Sequence, residues 1–153
     1  PSLLKNGMFQ KPAVLGSDEG YDVGELDEEQ ICLIYSMISE MTKKALNSLK
    51  HSKKTEELYE RLTTPGLLGE VQPAEAMCDL VENEYIKRLL RNASDSYIRF
   101  ALSTGRHKEE IKEERNKLTE LLKNGELKKA EKALDAYFKL LAKAVNEERG
   151  MNE

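Results

Sequence analysis

Apolar residues recur at helical spacing through most of the chain, and the longest such run has no glycine or proline. It extends from Ala74 to Thr104, between Pro73 and Gly105. A run of this kind predicts one long helix over 74–103, apolar over about half of its circumference. An arc that wide needs neighbours on two sides, so we expect this helix to be the central one. Its main apolar stripe contains Ala74, Met77, Cys78, Val81, Tyr85, Leu89, Ala93, Tyr97 and Phe100.

The same periodicity predicts shorter helices on either side of this segment. They cover 28–50, 55–62, 107–123 and 126–148. Asp27 is a suitable N-cap for the first of them, because Glu28 and Glu29 then lie in a first turn that favours negative charge. Asn124-Gly125 is typical of a tight turn, which predicts that the last two helices form an antiparallel hairpin. No strand is predicted. The fold class is therefore all-α, a single-domain bundle of four to five helices around a long central helix.

Two segments lack a sustained period. The composition of residues 1–26 predicts an irregular or disordered acidic arm. The glycines and prolines of residues 63–73 predict a loop. The helical bundle domain is therefore expected to cover 27–150. The whole chain has a formal charge of −4, and residues 1–30 alone carry −5. The rest of the chain therefore carries +1 and is nearly neutral. The arm is either a plain disordered tail or a segment that docks on a partner or on lysines of its own chain. Its apolar residues are Phe9, Val14, Leu15 and Tyr21.

Composition restricts the class of protein. Charged residues make up 34% and hydrophobic residues 39% of the chain, and no run approaches 18 apolar residues, so no membrane contact is predicted. The first residues lack the apolar core of a signal peptide. Cys32 and Cys78 both fall in predicted helices, which favours two core thiols in a reduced, cytoplasmic protein over a disulfide. His51 and His107 are isolated, so we predict no metal and no cofactor.

Catalysis requires side chains that converge on a reacting atom, and the sequence offers no such set. Gly66-Leu67-Leu68-Gly69 lacks the lysine of a phosphate-binding loop, and the Glu-x-x-His pattern of a di-iron bundle is absent. We predict that the protein is not an enzyme. Asp79 and Glu82 fall on or near the apolar arc of the long helix, where an ion pair or an overhanging helix end is the expected explanation.

Lysines provide the one candidate site for a polyanion. Four of them lie within about 60° of one another on the last predicted helix, and five more surround the end of the first. The alternative is an ordinary exposed face, since neither cluster contains arginine or aromatic residues. The nine residues are Lys128, Lys132, Lys139, Lys143, Lys43, Lys44, Lys50, Lys53 and Lys54.

The long predicted helix provides a candidate protein interface. Its charged face places opposite charges four residues apart at 84/88, 91/95 and 95/99, which is typical of a solvated surface. The second half of its apolar arc is wider than one neighbour can cover. We predict an interface at Ile86, Leu90, Ile98 and Leu102.

Part of the chain resembles a known family. The residues that carry the resemblance are Glu84-Tyr85-Ile86, Leu89-Leu90, Ile98-Arg99 and Tyr137-Phe138-Lys139-Leu140-Leu141. Over about 60 residues they resemble the α-helical domain of GINS, the small replication subunits that assemble as a tetramer at the replicative helicase. The chain departs from that pattern at Phe100-Ala101, where Lys-Ile is expected, and it lacks the small β-domain of those subunits.

These observations predict a non-catalytic interaction or assembly subunit that presents helix faces to a protein partner or to another copy of itself. Two alternatives remain open. One is a nucleic-acid-associated subunit of a replication or transcription complex, as the GINS resemblance implies. The other is a viral or phage structural or regulatory protein.

Overall fold

A computed structural model describes residues 26–64 and 73–152, with side chains described as far as residue 150. Every regular element in these ranges is a helix, which confirms the all-α class. The predicted acidic arm, apart from residue 26, and most of the predicted loop lie outside the described residues. The helices are α1 Glu28–His51, α2 Thr55–Thr63, α3 Ala74–Asp79, α4 Glu84–Ser103, α5 Lys108–Lys123 and α6 Leu127–Asn152.

Helix α1 begins where the sequence predicts, and its first turn explains why. The Asp27 side chain accepts a hydrogen bond from the Gln30 amide at 2.8 Å, and the Gln30 side chain accepts one from the Asp27 amide at 2.8 Å. This capping box satisfies two amides that the helix itself leaves unpaired. The buried face of α1 carries Ile31, Tyr35 and Ile38 toward the core.

The prediction of one helix over 74–103 is wrong, because the chain leaves the helical path between Asp79 and Glu84. Asn83 has extended backbone angles, and its side chain accepts a hydrogen bond from the Ile86 amide at 3.0 Å. Asparagine is among the best N-cap residues, so a new helix starts here without glycine or proline. Through the break, Leu80 and Val81 are buried while Glu82 is exposed.

Ion pairs hold the short α3 in place beside this break. Asp79 accepts from Arg61 of α2 at 3.0 Å and from Arg91 of α4 at 2.7 Å. Arg91 also pairs with Glu75 at 3.3 Å. Asp79 is thus in the structural ion pair that its position predicted, whereas Arg91 pairs with α3 instead of Asp95.

Helices α5 and α6 form the expected hairpin. Gly125 has a φ of +71°, a conformation that glycine adopts without strain, and it turns the chain from one helix to the next. Helix α6 is the longest described helix at 26 residues, and it packs against α1, α4 and α5. Helix α4, the longer part of the predicted 74–103 helix, likewise packs against three helices, α1, α3 and α6.

One main hydrophobic core draws residues from all six helices, which is the packing expected of a single bundle. Leu134, Phe138 and Leu141 supply its α6 side, and each is at most 1% exposed. None of the described helices combines the length and apolar character that crossing a membrane requires.

Candidate interaction surface

Helices α1 and α4 lie side by side and run in opposite directions. At one end of the pair, the Tyr35 hydroxyl donates a hydrogen bond to the Tyr97 carbonyl at 2.8 Å, and the two rings meet edge to face at 5.8 Å. At the other end, Ala45 of α1 packs with Leu90 of α4. The first contact is fully buried, whereas the helices leave a groove between them at the second.

This groove has an apolar floor and apolar walls. Ala45, Val81 and Leu90 are buried together in a small cluster separate from the main core, and Met41 packs against it. The groove has a volume of about 450 Å³. It is lined by Met41, Lys44, Ala45, Ser48, Val81, Glu82, Asn83, Ile86, Leu89 and Leu90.

Large apolar side chains at and beside the groove are exposed. Tyr85, Ile86 and Leu89 are 76%, 45% and 47% exposed. Met37 and Leu33 are also exposed, and they lie about one and two helical turns before Met41 on α1. Single exposed apolar residues are ordinary, but a contiguous group is typical of an interaction site.

The four residues predicted as an interface do not all lie at the surface. Ile86 is exposed in the groove wall, and Leu90 is buried in its floor. Ile98 is 0% exposed, so it belongs to the core and cannot meet a partner, and Leu102 is half-buried against the same core. The surface is therefore displaced toward the beginning of α4.

The exposed residues of this surface were partly missed by sequence reasoning. The apolar pattern predicts Tyr85 and Leu89 in the main stripe of one continuous helix, whereas in the structure both follow the break at Asn83 and are exposed. Leu33 and Met37 were not assigned to any site. They precede Met41 at successive spacings of four residues, beside the buried face of α1, and this spacing is the signal that identifies them.

Several of the nine predicted polyanion-binding lysines already have partners. Lys43 pairs with Glu40 at 2.7 Å and with Asp135 at 3.0 Å, and these hydrogen bonds raise the pKa of its ammonium group. Lys54 donates to the Leu80 carbonyl at 3.2 Å and lies 3.5 Å from Glu82. These two lysines stabilise contacts within the chain.

Other lysines of that set lie among carboxylates. Lys139 and Lys143 line a cleft of about 500 Å³ between α1, α5 and α6, which they share with four glutamates. Negative charge at this density opposes the approach of a phosphate backbone. The glutamates are Glu28, Glu110, Glu113 and Glu114. The remaining lysines of the set are exposed, namely Lys44, Lys50, Lys53, Lys128 and Lys132.

Both cysteines are free thiols, but only one lies in the core. Cys78 is buried, and its burial raises the pKa of the thiol to about 11. Cys32 is exposed on α1, so the prediction of two core thiols is wrong for this residue. Among the described residues, no group of three or more His, Cys, Asp and Glu side chains is arranged to hold a metal ion.

Comparison of the chain with protein-family models, with curated proteins and with solved structures finds no match. The resemblance to the α-helical domain of GINS stays a prediction.

Proposed function

We propose that this protein is a non-catalytic interaction or assembly subunit, and that the α1–α4 groove is the surface through which it binds protein. The observation that supports the proposal is the group of exposed apolar residues around an apolar groove. Tyr85, Ile86 and Leu89 would each lose apolar surface to a partner, and the burial of apolar surface is the main favourable contribution to most protein–protein association.

The site suits protein better than a small ligand. Its lining offers aliphatic side chains and only two charged ones, Lys44 and Glu82, and it is open to solvent along α4. Grooves between two helices commonly accept a further helix through apolar residues at helical spacing. No enzyme activity is proposed, because the residues that line the groove include no nucleophile paired with a base.

Site-specific photo-crosslinking in the source cells tests this function. A photoreactive amino acid replaces Leu89, and in a matched control it replaces Tyr59, which is 50% exposed on α2. We expect cross-links to protein, either a different protein or this chain itself, from position 89 at several times the yield at position 59. Equal yields at the two positions would contradict the proposal.

The nucleic-acid alternative has narrower support, namely the exposed lysines Lys128 and Lys132 of α6. It requires salt-dependent binding to DNA or RNA that is lost when Lys128, Lys132, Lys139 and Lys143 are all changed to glutamate. Absence of binding at about 50 mM salt, a concentration low enough for phosphate contacts to be strong, would exclude it.

A further inference from the structure

We propose that the groove between α1 and α4 is occupied by a second copy of this chain, so that the same helix pair of two protomers packs across a two-fold axis. This inference rests on the proposed function and names the partner that the surface accepts. It is drawn from the charges of the groove, from its shape and from the exposed tyrosine beside it.

The charges of the groove suit self-association. A two-fold axis brings a surface patch onto its own copy, so a patch of one sign repels itself and a patch of mixed sign can pair. The two charged residues that line the groove have opposite signs, Lys44 and Glu82. At the adjacent start of α4, Glu84 and Lys87 pair with each other at 3.2 Å and add no net charge.

The opposite signs of the two lining charges also predict a specific contact. Within the described residues Lys44 makes no ion pair, and Glu82 is 70% exposed with a single long contact to Lys54 at 3.5 Å. In a two-fold pair, Lys44 of each protomer meets Glu82 of the other, which forms two equivalent ion pairs. A strongly acidic or strongly basic partner would find no such complement here.

The shape of the surface also suits a second copy. Tyr85 lies in the first turn of α4, one turn before Leu89 of the groove lining, and is the most exposed of the large apolar residues described. The nearby groove of about 450 Å³ is large enough to accept a tyrosine side chain. Two-fold pairing places each tyrosine at the groove of the other protomer. Buried aromatic anchors of this kind supply much of the affinity of protein interfaces.

Sedimentation velocity of the full chain over a concentration series tests the proposal. We expect a monomer–dimer equilibrium in the wild type. Leu89→Glu and Tyr85→Ala are expected to raise the dimer dissociation constant at least about tenfold, a change of about 1.4 kcal/mol. Tyr59→Glu is the matched control on α2, and it leaves the constant unchanged. Circular dichroism verifies that each variant folds, and Tyr85→Ala removes a side chain so exposed that the fold does not depend on it.

A charge exchange tests the predicted ion pairs. Lys44→Glu alone places two glutamates opposite each other across the axis, and Glu82→Lys alone places two lysines opposite each other. Each single variant is therefore expected to dimerise more weakly than the wild type. An equimolar mixture of the two restores the dimer, because each contact in the heterodimer again joins a lysine and a glutamate.

A monomer at every concentration up to about 200 μM would overturn the proposal, since self-association weaker than that provides less than about 5 kcal/mol. A dimer that Leu89→Glu and Tyr85→Ala leave intact, or that Tyr59→Glu disrupts equally, would overturn it too. Failure of the mixed charge variants to recover would exclude the two-fold arrangement. The proposed function can hold even where this proposal fails. A strict monomer that cross-links from position 89 to a different protein would overturn the dimer but would support the proposed function.

Discussion

His107 joins the start of α5 to the end of α6 through both of its ring nitrogens. Nδ1 lies 2.9 Å from Glu110 and Nε2 lies 2.8 Å from Glu147. Two carboxylate partners favour the doubly protonated ring, so the hydrogen bonds to Glu110 and Glu147 raise the pKa of His107 above 6.5. The neighbouring charges are Arg106, paired with Glu148 at 3.1 Å, and Lys143, which acts on Glu110.

This pKa predicts how stability depends on pH. Because the folded-state pKa of His107 is raised, its contribution is complete below about pH 6.5 and is lost as pH rises through the folded value. We expect His107→Asn to abolish this loss of unfolding free energy in urea titrations between about pH 6 and 9. Asparagine is chosen because His107 has a φ of 53°, which asparagine tolerates.

His51→Asn is the matched control, since His51 is the exposed last residue of α1. It is expected to keep the wild-type dependence on pH. If the unfolding free energies of the wild type and of His107→Asn fall in parallel as pH rises, the ion pairs of His107 are not the source of the pH dependence.

The Tyr35 hydroxyl also contributes to the stability of the fold, because it donates a hydrogen bond to the Tyr97 carbonyl in the buried contact between α1 and α4. Burial raises the pKa of Tyr35, so the hydroxyl stays protonated and remains a donor. Tyr35→Phe is expected to lower the free energy of unfolding by about 1 kcal/mol. Tyr59→Phe, on an exposed ring, is expected to change it by less than about 0.5 kcal/mol, as measured by urea denaturation. Equal effects would show that the buried bond contributes nothing.

At the scale of elements, the start of α4 depends on one side chain. Asn83→Ala removes the acceptor for the Ile86 amide and is expected to destabilise the protein by about 1 kcal/mol. Asn83→Asp keeps an acceptor and adds favourable charge at a helix N-terminus, so its melting temperature should equal or exceed that of the wild type. A lower melting temperature for Asn83→Asp than for Asn83→Ala would contradict the assignment of this cap.

The same cap shows where sequence reasoning succeeds and where it fails. Helices with a clear amphipathic face and polar ends, such as 28–50 and 107–123, were predicted to within a single residue at either end. The break at Asn83 is missed because Glu82 and Glu84 on either side of it are good helix formers and no glycine or proline marks it. Its signal was Glu82, a carboxylate that a continuous helix would have directed toward the core.

The candidate site was harder to predict than the helices. Apolar spacing identifies a face of a helix, but it does not say which part of that face the other helices cover. Leu90 and Ile86 lie on one arc of α4, yet only Leu90 is covered, because α1 and the residues of the break pack over it. Burial of this kind depends on contacts between residues far apart in sequence.

At the scale of the whole molecule, the two thiols report separately on the surface and on the core. Cys32 is exposed and Cys78 is buried with a raised pKa, so a thiol reagent at about pH 8 is expected to modify one cysteine quickly. The second should react only as the bundle opens, at a rate that increases with urea. Cys32→Ser removes the fast phase alone, and rapid modification of both thiols in the native protein would contradict the buried position of Cys78.

Assembly through the α1–α4 groove is the central claim at this scale, and it requires that the exposed apolar surface be covered in the cell. Carbene footprinting tests this directly by comparing side-chain labelling in the source cells with labelling of the purified chain at high dilution. We expect Met37, Ile86 and Leu89 to be labelled several times less in cells, with Tyr59 labelled equally in both samples. Equal labelling of Ile86 and Leu89 in the two samples would mean that the groove remains uncovered, and it would contradict the proposed function.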